Sequence, residues 1–383
     1  MKQFADPIYG FIGIPSEELK IIETPEFQRL RRVKQLGLSS KVYPGATHSR
    51  FVHSVGVYHI TSLLVDEFEY EHTHEVEIAG LLHDIGHGPY SHATENAFPS
   101  LPEHEVISCD IVKQFDERGV LPDTVDADIV CELIRGNTTF SPVASDVDAD
   151  RIDYLLRDAH YTGVPHGKFD WRTIIQSANI VEVSGEKRIC FDFRSKQALE
   201  AMMLSRKGMQ KSVYKHPTSI ASERMLEKIL IHTEFDISPR DLYRLDDSQL
   251  LSYIERNAEG AAKDIYDRLR NRNLYKPVVT YRKTIPEELR SLVLDNSPRV
   301  IEATLAQNAG VNEEDVICHK SVNQAQSNPL DIFIRLPSGD VKRITEISEI
   351  GGLVNEEDFS INFIVFAPEN QISDVKNAIQ DYE

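Results

Sequence analysis

The sequence predicts a mainly α-helical body over residues 1–276 and a small α+β lobe over residues 277–383. Two observations carry that reading. Up to about residue 276, apolar residues recur every three or four positions, the spacing that gathers them on one face of a helix. From about Pro277 the pattern changes to short apolar runs parted by turn residues, which reads as strands mixed with helices. At 383 residues, with 41% hydrophobic and 27% charged side chains, the chain has the composition of a soluble globular protein and is long enough for one large domain or two ordinary ones.

The same composition excludes several classes. No apolar run approaches the length of a membrane span, and no basic-then-apolar signal segment opens the chain. Cys109, Cys131, Cys190 and Cys318 are far apart and form no CxxC pair, so they read as reduced thiols of a cytoplasmic protein without structural zinc. A net charge of −19 argues against a broad nucleic-acid-binding surface. An anionic substrate stays open if a metal and a few arginines concentrate positive charge locally.

Taken in order, residues 1–20 include DPIYGFIGIP and read as extended or turn structure. Thr24-Pro25 predicts a helix start: Thr24 as N-cap, Pro25 in the first turn, and Phe27, Leu30 and Val33 on the apolar face. Gln28, Arg29, Arg31, Arg32, Lys34 and Gln35 make the densest basic cluster, either a solvated face or an anion site. A Pro-Gly turn then precedes His48, Arg50, His53 and His59, with a helix expected from near Ser49. His53 shares a face with Val57 and Ile60, which suits a core histidine. A metal ligand beside a phosphate-binding Arg50 accounts for both residues together.

Leu81–His92, LLHDIGHGPYSH, is the most informative stretch. Val76, Ile78, Ala79, Leu81 and Leu82 predict a helix leading into it, and Gly86, Gly88 and Pro89 stop that helix. His83 and Asp84 therefore sit at its C-terminal end, and His87 and His92 return over the same ground. Helical neighbours point about 100° apart, so this dyad can share one ion only near a helix end. Imidazole with carboxylate suits zinc, iron, manganese or nickel, whereas magnesium prefers more oxygen. A capping or surface histidine cluster that binds nothing is the bland alternative.

His104 and Glu105 follow a Leu-Pro break and open another helix. In residues 146–163, DVDADRIDYLLRDAHYTG, Asp150, Tyr154 and Asp158 share one helix face, opposite Ile152, Leu155, Leu156 and Ala159. Acid at that helix start, from Asp146, Asp148 and Asp150, suits the macrodipole. One of these aspartates is also a candidate metal ligand, while Tyr154 and Asp158 can hydrogen-bond a sugar. A strand carrying Ile189, Phe191 and Phe193 is expected in a hairpin that turns at Ser184-Gly185. A long helix from about Ser195 to Tyr214 repeats Arg206, Gln210 and Tyr214 every four residues.

In the lobe, strands are expected at Val278–Tyr281, Val316–His319, Asp331–Leu336 and Ile361–Phe366, and helices at Pro286–Gln307 and Gln371–Tyr382. It carries no clustered ligands and reads as structural, regulatory or an oligomer contact.

The segments HSRFVH (48–53), HDIGHGPYSH (83–92) and DVDADRIDY (146–154) resemble the HD-domain metal phosphohydrolases. The nearest likeness, over roughly residues 4–216, is to the branch of deoxynucleoside triphosphate triphosphohydrolases that includes the vertebrate proteins with a sterile-alpha-motif domain. The resemblance implies metal ligands His53, His83, Asp84 and Asp150, with Mn, Fe, Zn, Ni or Co as the ion and Mg accompanying the nucleotide. It implies that His87, His92 and His104 surround the reaction centre with Asp84, His104 as general acid. Arg50 and Arg206 match phosphate-binding arginines, and Arg151 stands where the branch often has lysine. Tyr154 and Asp158 match groups that hold a ribose 3′-hydroxyl, Gln35 and Leu36 residues beside the sugar, and Tyr214 the ring packed on sugar and base. Gln210 departs from a histidine in the vertebrate members, and Ser212 stands near a position that is basic there. Glu23, Gln28 and Arg31 match part of an activating-nucleotide site. A homo-oligomer, dimer or tetramer, is implied.

The expected reaction is hydrolysis of a dNTP to deoxynucleoside and tripolyphosphate, by attack of an activated water on the α-phosphorus. Arg50 and Arg206 would stabilise the phosphate charge, and His104, with a near-neutral pKa, would protonate the leaving oxygen. Two alternatives stay open: a phosphomonoesterase or phosphodiesterase of the same superfamily acting on other nucleotides, and a nucleotide-sensing module with vestigial chemistry. Tyr154 and Asp158 favour a substrate with a free 3′-hydroxyl. The intact ligand set and the acidic charge disfavour the sensor.

Overall fold

Glycine and proline near the N-terminus produce a hairpin: β1 (Lys2–Asp6) pairs antiparallel with β2 (Gly10–Ile14), and Gly10 takes the left-handed φ of +84° at the turn. The protein is described from a computed structural model, which covers residues 1–67, 70–136, 140–323, 330–351, 360–380 and 382. After the hairpin come α1 (Ser16–Ile22), α2 (Pro25–Arg29), α3 (Arg50–Asp66), α4 (Thr73–Leu82), α5 (His92–Ala97), α6 (His104–Glu117), α7 (Ala127–Arg135) and α8 (Ala149–Thr162). Next are α9 (Trp171–Gln176), a second hairpin of β3 (Ala178–Val183) and β4 (Glu186–Asp192), α10 (Lys196–Met209), α11 (Pro217–His232), α12 (Pro239–Leu242), α13 (Asp247–Asn257) and α14 (Gly260–Arg270). The chain ends with β5 (Lys276–Lys283), α15 (Glu287–Asp295), α16 (Pro298–Ala309), β6 (Ile317–Asn323), β7 (Phe333–Arg335), β8 (Val341–Arg343), α17 (Ile344–Ile347), β9 (Ser360–Ala367) and α18 (Ile372–Gln380). The architecture is mainly α with a small α+β C-terminal lobe. Among the described residues, no helix is long and apolar enough to cross a membrane.

Local chemistry sets several boundaries. Thr24 Oγ1 accepts from Phe27 N at 3.3 Å with Pro25 at the first helical position. The helix runs only to Arg29, then a 3₁₀ turn (Leu30–Arg32) hands over to an extended Val33. Val33 therefore reaches the core from extended chain rather than from a helix face. The side chain of Asp148 caps α8, and Gly163 ends it with a φ of +74°.

The site is organised around α3, which packs against α4 and α8. Both contacts need glycine. A Cβ on Gly80 would lie 2.7 Å from the Thr61 side chain, and one on Gly56 would lie 2.0 Å from Asp153 Oδ1. These approaches place the first turn of α3, the end of α4 and the first turn of α8 side by side.

Two expectations about the lobe need correction. The helix expected over Pro286–Gln307 is two helices, α15 and α16, parted at Asn296-Ser297. Pro298 lacks the N–H to continue the first, and Ser297 Oγ caps the second. The strand expected over Asp331–Leu336 does not join the lobe sheet: β7 pairs parallel with β4, and β8 extends that sheet to the order β3-β4-β7-β8. The lobe sheet is β5-β9-β6, all antiparallel. Its central strand β9 is covered on both faces: Phe363 and Val365 pack with α15, α16 and α18, whereas Ile364 and Phe366 pack with α11 and α14. That double burial explains its continuous apolar run. The helix expected to reach Tyr382 includes Asp381, which lies outside the described residues.

Candidate active site

His53 stands in the first turn of α3, three residues after Arg50; His83 caps α4 with Asp84 next; Asp150 is in the first turn of α8. Their donor atoms converge. His53 Nε2 is 3.0 Å from Asp150 Oδ1, 3.3 Å from His83 Nε2 and 3.6 Å from Asp84 Oδ2. His83 Nε2 is 3.4 Å from Asp84 Oδ1 and 3.8 Å from Asp150 Oδ1.

The donor set fits a divalent ion. Each imidazole is turned by its other nitrogen: His53 Nδ1 lies 2.7 Å from Asp153 Oδ2, and His83 Nδ1 lies 2.9 Å from the Gly80 carbonyl. Both rings therefore aim Nε2 at one point, with two carboxylates facing it. Burial alone would lower the pKa of His53, yet its hydrogen bonds to Asp150 and Asp153 and the charges of Asp153 and Asp84 raise it to about 10. The pocket draws positive charge to its centre.

A buried network holds His53. Arg157, without solvent exposure, donates from Nε and Nη2 to the two oxygens of Asp153, both at 2.8 Å, and from Nη1 to Asp6 at 2.8 Å. Tyr9 Oη donates to Asp153 Oδ1 at 2.8 Å. Burial favours a protonated Asp153, but Arg157 and His53 outweigh it and hold the carboxyl well below the usual range.

Beyond Asp84 the chain turns back through Tyr90 and Ser91, whose φ values of 53° and 37° lie in the left-handed region. Ser91 Oγ accepts from Arg50 at 2.8 Å and 3.1 Å, and Arg50 Nη1 donates to Asp84 at 2.5 Å. Asp84 is buried, which favours its neutral form, but Arg50, His83 and His87 hold its pKa well below the usual range. His87 and His104 stack with centroids 3.7 Å apart, and Glu95 Oε1 lies 3.1 Å from His87 Nδ1 and 3.7 Å from His104 Nδ1. His92 lies 3.2 Å from Glu95 Oε2, and its side chain is 72% exposed. The expectation of a near-neutral pKa for His104 is corrected: burial, reinforced by His87, pulls it down to about 3.

His83, Asp84, His87, His92, His104 and Asp150 open onto a cavity of about 760 Å³. Arg50, Arg151 and Arg206 line it, as do Tyr154, Asp158, Gln210, Tyr214, Gln35 and Leu36. Gln210 and Tyr214 stand in a π-helical turn, Gln210–Tyr214, that continues α10. Asp158 accepts from Tyr214 Oη at 2.7 Å and contacts His48 Nε2 at 2.8 Å. Each carboxylate oxygen keeps a second lone pair for a ligand hydroxyl. Among the described residues, Gln35 Oε1 is buried without a hydrogen-bond partner. Arg151 Nη1 meets Asp146 at 3.1 Å.

The basic cluster of residues 28–35 is not one site. Arg29 Nη2 donates to the carbonyls of Ile85 and His87 at 2.9 Å and 2.8 Å, and Nη1 donates to Leu245 at 3.1 Å. Burial, with Arg50 nearby, lowers its pKa to about 10. Arg32 pairs with Asp246, and Arg31 lies over the Phe51 ring at 3.5 Å while donating to Gln28 Oε1. Glu23 meets Lys2 at 3.7 Å. Glu23, Gln28 and Arg31 do not line the cavity. Sequence reasoning missed the parts played by Arg29, His48, Glu95, Asp153 and Asp247. Asp247 accepts from the backbone N–H of both Lys34 and Tyr90 at 3.0 Å, from more than 150 residues away in sequence. Only the spacing of Asp153 after Asp150 could have pointed to one of them.

Residues 50–158 match the HD domain, and residues 169–382 match the HD-associated region. The chain belongs to the HD-domain family. The matched domain begins at Arg50 and ends at Asp158, two residues of the cavity wall. Across its full length this HD-domain chain is 31% identical to an uncharacterized protein of Methanocaldococcus jannaschii, covering 82% of that protein. It is 33% identical over 71% of its length to the deoxynucleoside triphosphate triphosphohydrolase SAMHD1 homolog of Dictyostelium discoideum, and spans 59% of that relative. A solved phosphohydrolase from Bacteroides thetaiotaomicron superposes with a TM-score of 0.77 at 26% identity, over 96% of this chain and 99% of that one.

Proposed function

We propose that the protein is a metal-dependent phosphohydrolase that converts a deoxynucleoside triphosphate to deoxynucleoside and tripolyphosphate. One observation carries the reading. His53, His83 and Asp150 form one metal-type cluster, and His83, Asp84 and Asp150 line a single cavity that also carries Arg50, Arg151 and Arg206 and, with them, Tyr154, Asp158 and Tyr214. Anion-binding and sugar-binding chemistry thus adjoin the cluster, which suits a nucleotide with its α-phosphate nearest the ligands. The activity named for the Dictyostelium relative supports the same class.

His53, His83, Asp84 and Asp150 would hold the ion; when bound, a divalent cation supplies a Lewis acid and lowers the pKa of water. The identity of the metal is open among Mn, Fe, Zn, Ni and Co, since mixed imidazole–carboxylate sites accept several. Arg50, fixed by Ser91 and Asp84, is preorganised to meet phosphate oxygens, and Arg206 and Arg151 extend that contact along the chain of phosphates. Tyr154 and Asp158 receive the 3′-hydroxyl, and Tyr214 packs on the sugar and base. The bond that breaks joins the α-phosphorus to the 5′-oxygen, which must gain a proton. His104 would give it, with His87 stacked on it and Glu95 beside both rings. Burial and His87 lower the pKa of His104, so the negative charge of a bound substrate would favour its protonated form.

In the same reading, Glu23, Gln28 and Arg31 take an activating nucleotide, and the C-terminal lobe serves regulation or a homo-oligomer contact. The test is turnover of the four dNTPs with manganese, each alone and then with GTP or dATP, resolving products by ion exchange. Tripolyphosphate with deoxynucleoside is the expected outcome. Inorganic phosphate as the sole product would replace this reading with a phosphomonoesterase.

A further inference from the structure

Away from the cavity, another group of described side chains gathers metal-type donors. Glu18 of α1 and His74 and Glu77 of α4 each bring one ligand atom within 4.8 Å of the other two. His74 and Glu77 are three residues apart and share one face of the start of α4. Glu18 reaches them from the neighbouring helix.

Glu18 is only 4% exposed, and its carboxylate is half satisfied. Oε1 lies 3.1 Å from His74 Nε2, while Oε2 is buried with no hydrogen-bond partner among the described residues. A buried carboxylate oxygen without a partner is costly, so it marks a missing cation or donor. The imidazole points the same way. Its Nδ1 lies 3.1 Å from Thr124 Oγ1. When Nδ1–H donates to that hydroxyl, Nε2 is a bare lone pair facing a carboxylate oxygen, an arrangement that a cation between them resolves. Glu77 supplies the second carboxylate; burial, with the charges of Glu18 and Asp66, raises its pKa against a hydrogen bond from Ser62 and the charge of His74. Ligand atoms within 4.8 Å of one another need only a small side-chain shift to share one ion with bonds of about 2.0–2.2 Å.

We propose that Glu18, His74 and Glu77 form a second divalent-cation site, separate from the catalytic cluster, which joins α1 to α4. One imidazole with two carboxylates suits Zn²⁺, Mn²⁺ or Fe²⁺. His74 and Glu77 are partly exposed, so water can complete the coordination. The site sits at one end of α4, and His83 and Asp84 sit at the other. An ion there pins the start of the helix that delivers the dyad.

The experiment counts metal in the full chain. Protein stripped with chelator is re-equilibrated with Zn²⁺ or Mn²⁺, dialysed and measured by plasma mass spectrometry, with circular dichroism confirming the fold of every variant. Wild type should hold two equivalents. Asp84→Ala should keep the outer one, and His74→Ala or the milder Glu77→Gln should each lose one equivalent and keep the catalytic one. Metal content that is the same in wild type, His74→Ala and Glu77→Gln would overturn the proposal and leave a protonated His74 paired with Glu18. A wild type with one equivalent that disappears in His74→Ala would support the outer site and count against the catalytic one.

Discussion

Around His53 the protein buries charge, whereas around Phe363 it buries hydrocarbon. Both side chains lie out of solvent. His53 is held by Asp153, which Arg157, Asp6 and Tyr9 hold in turn, so every polar atom in that shell depends on the next. Phe363 packs among Leu289, Val293, Ile301, Leu305, Val375 and Ile379, where shape and area matter and direction does not. The difference teaches where function and stability separate. A directional network loses its task when one atom is displaced, while an apolar cluster loses free energy in proportion to what is removed.

The largest expected effect lies at the ligands. Asp84→Ala or His83→Ala should cost metal and turnover together, by at least about 10³-fold in kcat, measured by metal analysis and product chromatography. His104→Ala should keep its metal and lose on the order of 10²–10⁴ in turnover, and full activity would remove His104 from the chemistry. In the lobe, Phe363→Ala should lower stability by about 3–5 kcal/mol in urea unfolding, while metal content stays at the wild-type value. If that variant lost its metal selectively before unfolding, the two regions would not be separable.

Asp153→Asn probes the network behind His53. It should weaken metal binding by about 10–100-fold, because the carboxylate that orients the ring is gone, and a chelator competition assay reads this. The smallest effect concerns pH. His319 of β6 has its pKa lowered to about 4 by burial, with Arg224 and Lys215 adding to it. Unfolded, the imidazole titrates near 6.5, so between about pH 6.5 and 4 the unfolded chain binds the extra proton. The stability that His319 contributes is present above that window and is lost as pH falls through it. His319→Gln should flatten this part of the pH profile of thermal stability.

The helix starts at Thr24 and Asp148, the hairpin turning at Ser184-Gly185 and the placement of His83 and Asp84 at a helix end follow from local rules. Caps, left-handed glycines and apolar spacing act within a few residues, and a sequence displays them directly. The bundle and the ligand types at the mouth of its cavity were legible for that reason. What the tertiary structure alone decided involves partners far apart in the chain. By spacing, Asp153 and Arg157 are an ordinary helical ion pair, of the kind that decorates a solvated surface. Their burial comes from Gly56, which lets α3 approach, and from Asp6, more than 140 residues upstream. Arg29 likewise belongs by pattern to a basic patch, and only the return of the loop at Ile85–His87 makes it a clamp. The pairing of β7 with β4 and the low pKa of His104 have the same origin. Each is set by which surfaces meet and how much water they exclude, and neither quantity has a local period to read.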